Sequence, residues 1–318
     1  MRITNIMLTS NFLRNMYINL KRLEEAQDRL ASGKEVRRPS DDPVRVVSSL
    51  ALRSDLGEAQ QYTRNIKDAR TWMEVTEGAL GNATEVLQRA RELALYGASD
   101  TMPRESREAL AREVEQLKKQ LGLIANTTLG GRYIFGGTQT NKPPVGETYK
   151  DVWQEEAPEG YVYNDSWQGN DKLIEYEIAP NVVIPVNCSN AEKLFHGLED
   201  KITGEVKPGA IAVLDKLAWF LGENRPGSEI SQCIGEIDQV IDEILATRGE
   251  LGARVNRAEM ALDRLQQTEI KQTELLSLAE DADIAEAIMD LKSQENVYRV
   301  SLATGARIIM PTLVDFLR

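Results

Sequence analysis

Few residues in this chain are of types and spacings that could do chemistry. His196 is the sole histidine. An HExxH zinc site needs two histidines on one helix face, and a Ser-His-Asp triad needs a histidine beside an activated serine. No second histidine exists, and His196, in "EKLFHGLED", is accompanied by no GxSxG turn. It is expected at the surface or half-buried, without a ligand role. The acidic pairs Asp41/Asp42 and Glu155/Glu156 could serve acid–base work. Helix capping and solvated loops account for them at less cost. "GGRYIFGG" (Gly130–Gly137) invites a phosphate-loop reading, but neither GxxxxGK[ST] nor GxGxxG is present. A short strand at Arg132–Phe135, bracketed by turns, fits better. Lys34, Arg37 and Arg38 form a basic group with no interleaved aromatics on which bases could stack. Cys188 and Cys233 lack CxxC spacing and read as two reduced, inert thiols. The expectation is a protein that is not an enzyme, with no catalytic residue, cofactor or metal site.

The composition points the same way. The chain has 318 residues, of which 6% are aromatic and 28% charged. A compact enzyme of that size usually fills its core with more large apolar side chains, whereas long paired helices are rich in small and charged ones. The net charge of −12 argues against a nucleic-acid partner. The charge is uneven: residues 138–210 hold 6 Lys/Arg against 13 Asp/Glu, and residues 1–70 hold 13 against 9. Opposite balances suit packing against copies or relatives of the chain. No segment reaches the roughly 18 apolar residues of a membrane span. "MRITNIMLTSNFLRNM" lacks the apolar core of a cleavable signal peptide. A cytoplasmic protein, or one exported without signal cleavage, is expected.

The elements follow from apolar spacing. Residues 1–32 contain no Gly or Pro, and Ile3, Ile6, Ser10, Leu13, Tyr17 and Leu20 alternate steps of three and four. That is a heptad seam on a helix ending at Gly33. A second seam runs through Ala59, Tyr62, Ile66, Ala69, Met73, Thr76, Leu80, Ala83, Leu87, Ala90 and Ala94. It predicts a long helix ending near "YGASDTMPRES", where Pro103 breaks the pattern and Ser99 or Thr101 is placed to cap the next helix. A third helix carries Leu110, Val114, Leu117, Leu121 and Ile124. Residues 138–210 read as a β-rich acidic insert, with strands at "KLIEYEI" and "NVVIPVN". Helix resumes near Ile211, and a very long pattern starts at Glu229 with a gap at Arg248. The last seam runs through Ile284, Ile288, Leu291, Glu295, Tyr298, Leu302, Gly305 and Ile309. The plan is nested: terminal helices outside, bundle helices within, an insert in the middle. A lone amphipathic helix cannot bury its stripe, so the two terminal helices are expected to pair.

Between the first two helices lies "RRPSDDPVRV" (Arg37–Val46). Asp42 fits an N-cap and Pro43 the first helical position. Asp41 adds charge near the positive helix end, and Pro39 keeps Arg38 out of helix. The stretch reads as a joint, built from Pro39, Asp41, Asp42 and Pro43.

The ends of the chain resemble the flagellin superfamily. "LASGKEVRRPSDDPVRV", "TEGALGNATEVLQRARELA" and "AEDADIAEAIMDLKSQENVYRVSLATGARIIMPTLVDFLR" are similar to its shared terminal helices. The start "MRITNIMLTSNFLRNM", the loop "RPSDDP", "GGRYIFGGTQTNKPP" and "EIAPNVVIPVN" resemble members at the hook–filament junction rather than filament flagellins. The resemblance implies a mainly α, elongated fold of long antiparallel helices with nested N- and C-terminal halves and a small β-rich insert. It implies a terminal coiled-coil domain (1–41 plus 278–318) disordered in the monomer, a middle bundle (42–137 plus 211–277) and an outer insert (138–210). It implies an exported structural subunit of the bacterial flagellum, passed through the type III apparatus. Its partners are then copies of itself, the other junction protein, flagellin, and an export chaperone on the C-terminal helix, with no nucleic acid and no membrane span. Ile3, Ile6, Leu13, Tyr17, Leu20, Ile284, Ile288, Leu291, Tyr298, Leu302 and Ile309 become the expected assembly interface. A short filament flagellin and, more distantly, a cytoplasmic coiled-coil scaffold are the alternative readings.

Overall fold

The computed structural model describes residues 5–146, 166–199 and 206–309. Among them lie helices α1 (Asn5–Ser32), α2 (Pro43–Gly97), α3 (Arg104–Ala125), α4 (Ala191–Phe195), α5 (Ala210–Gly222), α6 (Gly227–Glu280) and α7 (Ile284–Ile309). The strands are β1 (Thr128–Leu129), β2 (Arg132–Tyr133), β3 (Glu175–Ala179), β4 (Val182–Pro185), β5 (Gly197–Glu199) and β6 (Val206–Pro208). The protein is mainly helical with a small strand insert. It parts into two compact units, Met1–Gln60 with Gln267–Arg318, and Gln61–Gln266. Helices α2 and α6 each contribute a portion to both.

In the unit Gln61–Gln266 the α2 seam is the core. Ile66, Ala69, Met73, Thr76, Leu80, Ala83, Leu87, Ala90 and Ala94 are fully buried, and Thr76 donates its hydroxyl hydrogen bond to Trp72 O. Small residues at every second seam position let a neighbouring helix come close. Within this unit α2 and α6 run antiparallel, tied by Arg248 to Glu77 and by Arg91 to Asp238. The α6 helix is continuous through Arg248, whose guanidinium makes that ion pair rather than breaking the helix. Helix α3 packs against α5.

The strands form three antiparallel pairs, β1–β2, β3–β4 and β5–β6. Asn181, at φ 60°, turns β3 into β4. On β3, Ile178 is buried and Tyr176 half-buried while Glu175 and Glu177 face out, the alternation of a half-buried strand. Strand β2 ends at Tyr133, because Ile134 and Phe135 turn fully into the core instead. The insert thus shares the helices' core: Phe135 meets Phe195 edge-on at 5.0 Å, and Trp167 stacks on Phe195 at 6.3 Å. His196 is fully buried, not at the surface, stacked 6.5 Å from Trp167. Glu155 and Glu156 lie outside the described residues. Cys188 and Cys233 are free and buried, and burial pushes their thiols up to about 11 and about 12.

The start of α3 also differs from expectation. Pro103 stands at its N-cap, and Ser99 and Thr101 hydrogen-bond each other at 2.9 Å. The capping carboxylate nearby is Asp100, which accepts from the Gly227 N–H at 2.9 Å and so serves the start of α6. Buried Arg107 closes this end of the unit, donating to Asn224 Oδ1, Arg225 O and Ser99 O.

Candidate assembly surface

The other unit is built from α1, α7, the first turns of α2, the last turns of α6, and the loops between them. Gly33 ends α1 at φ 68°, a left-handed conformation that suits glycine, and its N–H reaches Arg29 O at 2.9 Å. Arg38 to Asp41 then form a turn closed by Asp41 N–H to Arg38 O at 2.9 Å, with Pro39 at its second position. The Asp41 carboxylate folds back onto the same turn. It accepts from Arg38 N–H at 2.9 Å and Arg37 N–H at 3.3 Å, and these bonds hold its pKa below the ordinary carboxylate value. Asp42 Oδ1 accepts from Val44 N–H at 3.0 Å and Arg45 N–H at 3.1 Å, and Pro43 is the first residue of α2. Asp42 therefore occupies the N-cap, while Asp41 braces the loop.

The returning chain mirrors this. Asp283 Oδ1 accepts from Ala285 N–H at 2.8 Å and caps α7. The two loops are laced together by Glu35 N–H to Glu280 O at 2.7 Å and Ala282 N–H to Gly33 O at 3.0 Å, around an antiparallel bridge of Lys34 and Asp281. Beneath the bridge Glu280, 4% exposed, offers one carboxylate oxygen to Lys34 Nζ at 2.7 Å and to Arg53 at 2.5 Å. Burial alone would raise the Glu280 pKa. Hydrogen bonds from Arg53, Lys34 and Ser49 outweigh it and hold the group at about 2.

Glu280 is the residue that sequence reasoning missed. It sits in an acidic run, and its partners Lys34 and Arg53 lie 246 and 227 residues away along the chain, so no local signal marks it. The basic group also takes on a structural role. Lys34 is committed to Glu280 and Arg38 faces Asp28 at 3.8 Å. The cleft of about 380 Å³ beside them mixes Lys21, Arg29 and Arg37 with Glu25, Glu35 and Asp41. Such mixed charge gives no anion-selective field. Among the described residues no cluster of three or more His, Cys, Asp or Glu side chains is placed to hold a metal, and no helix is long and apolar enough to cross a membrane.

Helices α1 and α7 lie antiparallel. The covered stripe on α1 is Thr9, Phe12, Met16, Asn19, Leu23, Ala26 and Leu30, one residue out of register from the expected seam. On α7 it is Ala287, Leu291, Gln294, Tyr298, Ser301 and Gly305. Asn19 donates to Ser301 Oγ at 2.9 Å. Gly305 is required by close approach: a Cβ there would lie 2.3 Å from the Phe12 ring. Leu291 and Tyr298 thus fall on the intramolecular side. Leu13 (50%), Tyr17 (69%), Leu20 (43%), Ile284 (49%), Ile288 (44%) and Leu302 (45%) stay exposed. Ile3 lies outside the described residues, as do the side chains of Ile6 and Ile309. The register differs because each terminal helix carries two adjacent heptad stripes. On α1 the pair uses the stripe holding Phe12, Met16, Leu23 and Leu30, and Leu13, Tyr17 and Leu20 face out; on α7 Leu291, Glu295, Tyr298 and Gly305 of the expected seam are covered, and Ile284, Ile288 and Leu302 face out. Val44, Val47, Leu275 and Leu278 are likewise exposed at the start of α2 and the end of α6.

The family model described as bacterial flagellin N-terminal helical region matches residues 3–140, and that of the bacterial flagellin C-terminal helical region matches residues 234–317. The chain is 28% identical over 286 residues to flagellar hook-associated protein 3 of Escherichia coli K12, covering 86% of each. Its fold is similar to that of Bacillus cereus FlgL, with a TM-score of 0.55 at 19% identity over 71% of this chain and 99% of that one. It is also similar to the flagellar junction protein FlgL of Legionella pneumophila, with a TM-score of 0.54 at 16% identity over 75% of this chain and all of that one.

Proposed function

This chain belongs to the bacterial flagellin family, whose two terminal helical regions it carries, and from that premise we propose that it is a structural subunit of the flagellum at the hook–filament junction. It joins the other hook-associated junction protein to the flagellin filament and does no catalysis. The 28% identity to hook-associated protein 3, together with the likeness in fold to two FlgL proteins, supports the junction reading.

One observation carries the mechanism. After α1 and α7 have paired, a stripe of large apolar side chains is still open on each. Leu13, Tyr17 and Leu20 on α1 and Ile284, Ile288 and Leu302 on α7 leave apolar area that water does not favour, and neighbouring subunits cover it. Contacts made head to tail between different patches generate an open helical array rather than a closed dimer. The intramolecular pair sets the spacing of the two terminal helices, and the outward stripes make the lateral seams with copies of the chain and with the proteins above and below. In transit the subunit leaves by the flagellar export route, with a chaperone covering the outward stripe of α7. Ordering of the terminal helices accompanies assembly.

Deleting the gene tests this reading. The expected strain carries hooks without filaments and releases flagellin monomers into the medium, and a plasmid copy restores filaments. A filament subunit would instead give purified protein that polymerises into long filaments by itself.

A further inference from the structure

We infer that the unit Gln61–Gln266 bends at one height of the α2–α6 pair, at Gly78 on α2 and Gly249 on α6, where both helices are softened together. Both glycines are exposed, and a Cβ at either would meet nothing within 4 Å. Packing inside the subunit therefore does not call for glycine there, as it does at Gly97, where a Cβ would collide with Leu221. A glycine inside a helix weakens it roughly fivefold relative to alanine, because its backbone is freer in the unfolded chain. The two glycines stand at one height because their chain neighbours, Glu77 and Arg248, make the ion pair between the helices.

Two more features lie at this height. Thr76 and Thr84 on α2 and Thr247 on α6 are buried, and their hydroxyls donate to Trp72 O, Leu80 O and Glu243 O at 2.8, 2.9 and 2.9 Å. Each of these carbonyls lies four residues back on the same helix. Such bonds compete for carbonyls that the helix itself uses, and they bend it. The bundle also thins here. Helices α2 and α3 run antiparallel past Arg89 and Glu113, which brings the end of α3 at Ala125 to the height of Gly78. Helices α5 and α6 run antiparallel past Lys216 and Glu236, and α5 begins at Ala210, short of the height of Gly249. Of these four helices only α2 and α6 run on. Beyond this height they carry the β3–β4 hairpin, held by Asn65 Nδ2 to Glu177 O at 2.9 Å and by Arg254 to Asn187 O at 3.2 Å. A four-helix block and a hairpin-bearing block thus meet across two weakened helices. The bend involves neither the terminal helices nor a neighbouring subunit.

Spin-label distances on the purified full chain test the bend, because the width of a distance distribution reports the spread of conformations. One label pair spans the two blocks, at Ala109→Cys on α3 and Val183→Cys on β4. A reference pair stays within the four-helix block, at Ala109→Cys and Gln239→Cys. All three positions are exposed, and the buried native thiols stay unlabelled. The spanning pair should give the broader distribution, and Gly78→Ala with Gly249→Ala should narrow it to the width of the reference pair, which itself should not change. In urea unfolding each alanine should raise the folding constant about fivefold, as open space around the added methyl requires. A spanning distribution as narrow as the reference in the parent overturns the bend. So does a width that survives the double substitution, or a loss of stability with either alanine.

Discussion

Tyr17 separates the face that folds the subunit from the face that assembles it. It lies on α1 beside the covered stripe and is 69% exposed. An aromatic side chain offers roughly 200 Å² for burial, so roughly 140 Å² of Tyr17 is open to a neighbour. At about 25 cal/mol per Å² its coverage contributes about 3.5 kcal/mol to each subunit contact, or roughly 300-fold in association. The part already covered in the subunit is about 60 Å², so Tyr17→Ser costs the isolated chain at most about 1.5 kcal/mol. Tyr and Ser have similar helix propensities, which adds little. Phe12→Ser is the matched contrast, since Phe12 is half-buried against Gly305 on the intramolecular side. The assay has two arms: urea unfolding of purified subunits, and filament counts in a deletion strain carrying each variant. Tyr17→Ser should unfold nearly as the parent does yet leave most hooks bare. Phe12→Ser should lose stability first. Normal filaments with Tyr17→Ser, or equal destabilisation by the two substitutions, would refute the division of the two faces.

The joint and the Glu280 ion pairs give two further expectations. Asp42→Ala removes the acceptor for two first-turn N–H groups of α2 and should cost about 1 kcal/mol in urea unfolding, while Asp42→Asn recovers most of it; no loss with alanine would mean that the cap is idle. Glu280 is held at about 2 against an ordinary 4.5, so its ion pairs contribute fully above about pH 4.5, and that stability drains away as pH falls toward 2. The loss is on the order of 3 kcal/mol by linkage; unfolding curves between pH 6 and 2 should show it in the parent and a shallower fall in Glu280→Gln, and parallel curves would speak against it.

Much of this molecule is legible from apolar spacing, and the exceptions have physical causes. The α2 seam reads cleanly because one apolar stripe dominates it. The terminal helices do not, because two adjacent stripes compete. The strict alternation from Ile3 marks Leu13, Tyr17 and Leu20, whereas the close approach of Phe12 to Gly305 and the Asn19–Ser301 bond place the neighbouring stripe in the pair. The carboxylates at the joint read well where their partners are local, as for Asp42. They read poorly where the partner is distant: Asp100 caps a helix 127 residues on, and Glu280 meets Arg53 across 227. His196 reads as a surface residue because its polarity is visible in sequence and its stacking on Trp167 is not.

The measurement that bears most directly on the central claim is the state of the flagella in a strain lacking this gene. Electron micrographs should show hooks with no filaments, with flagellin monomers accumulating in the culture medium, and both should revert when the gene is supplied on a plasmid. Filaments of normal number and length on the deletion strain would contradict the account.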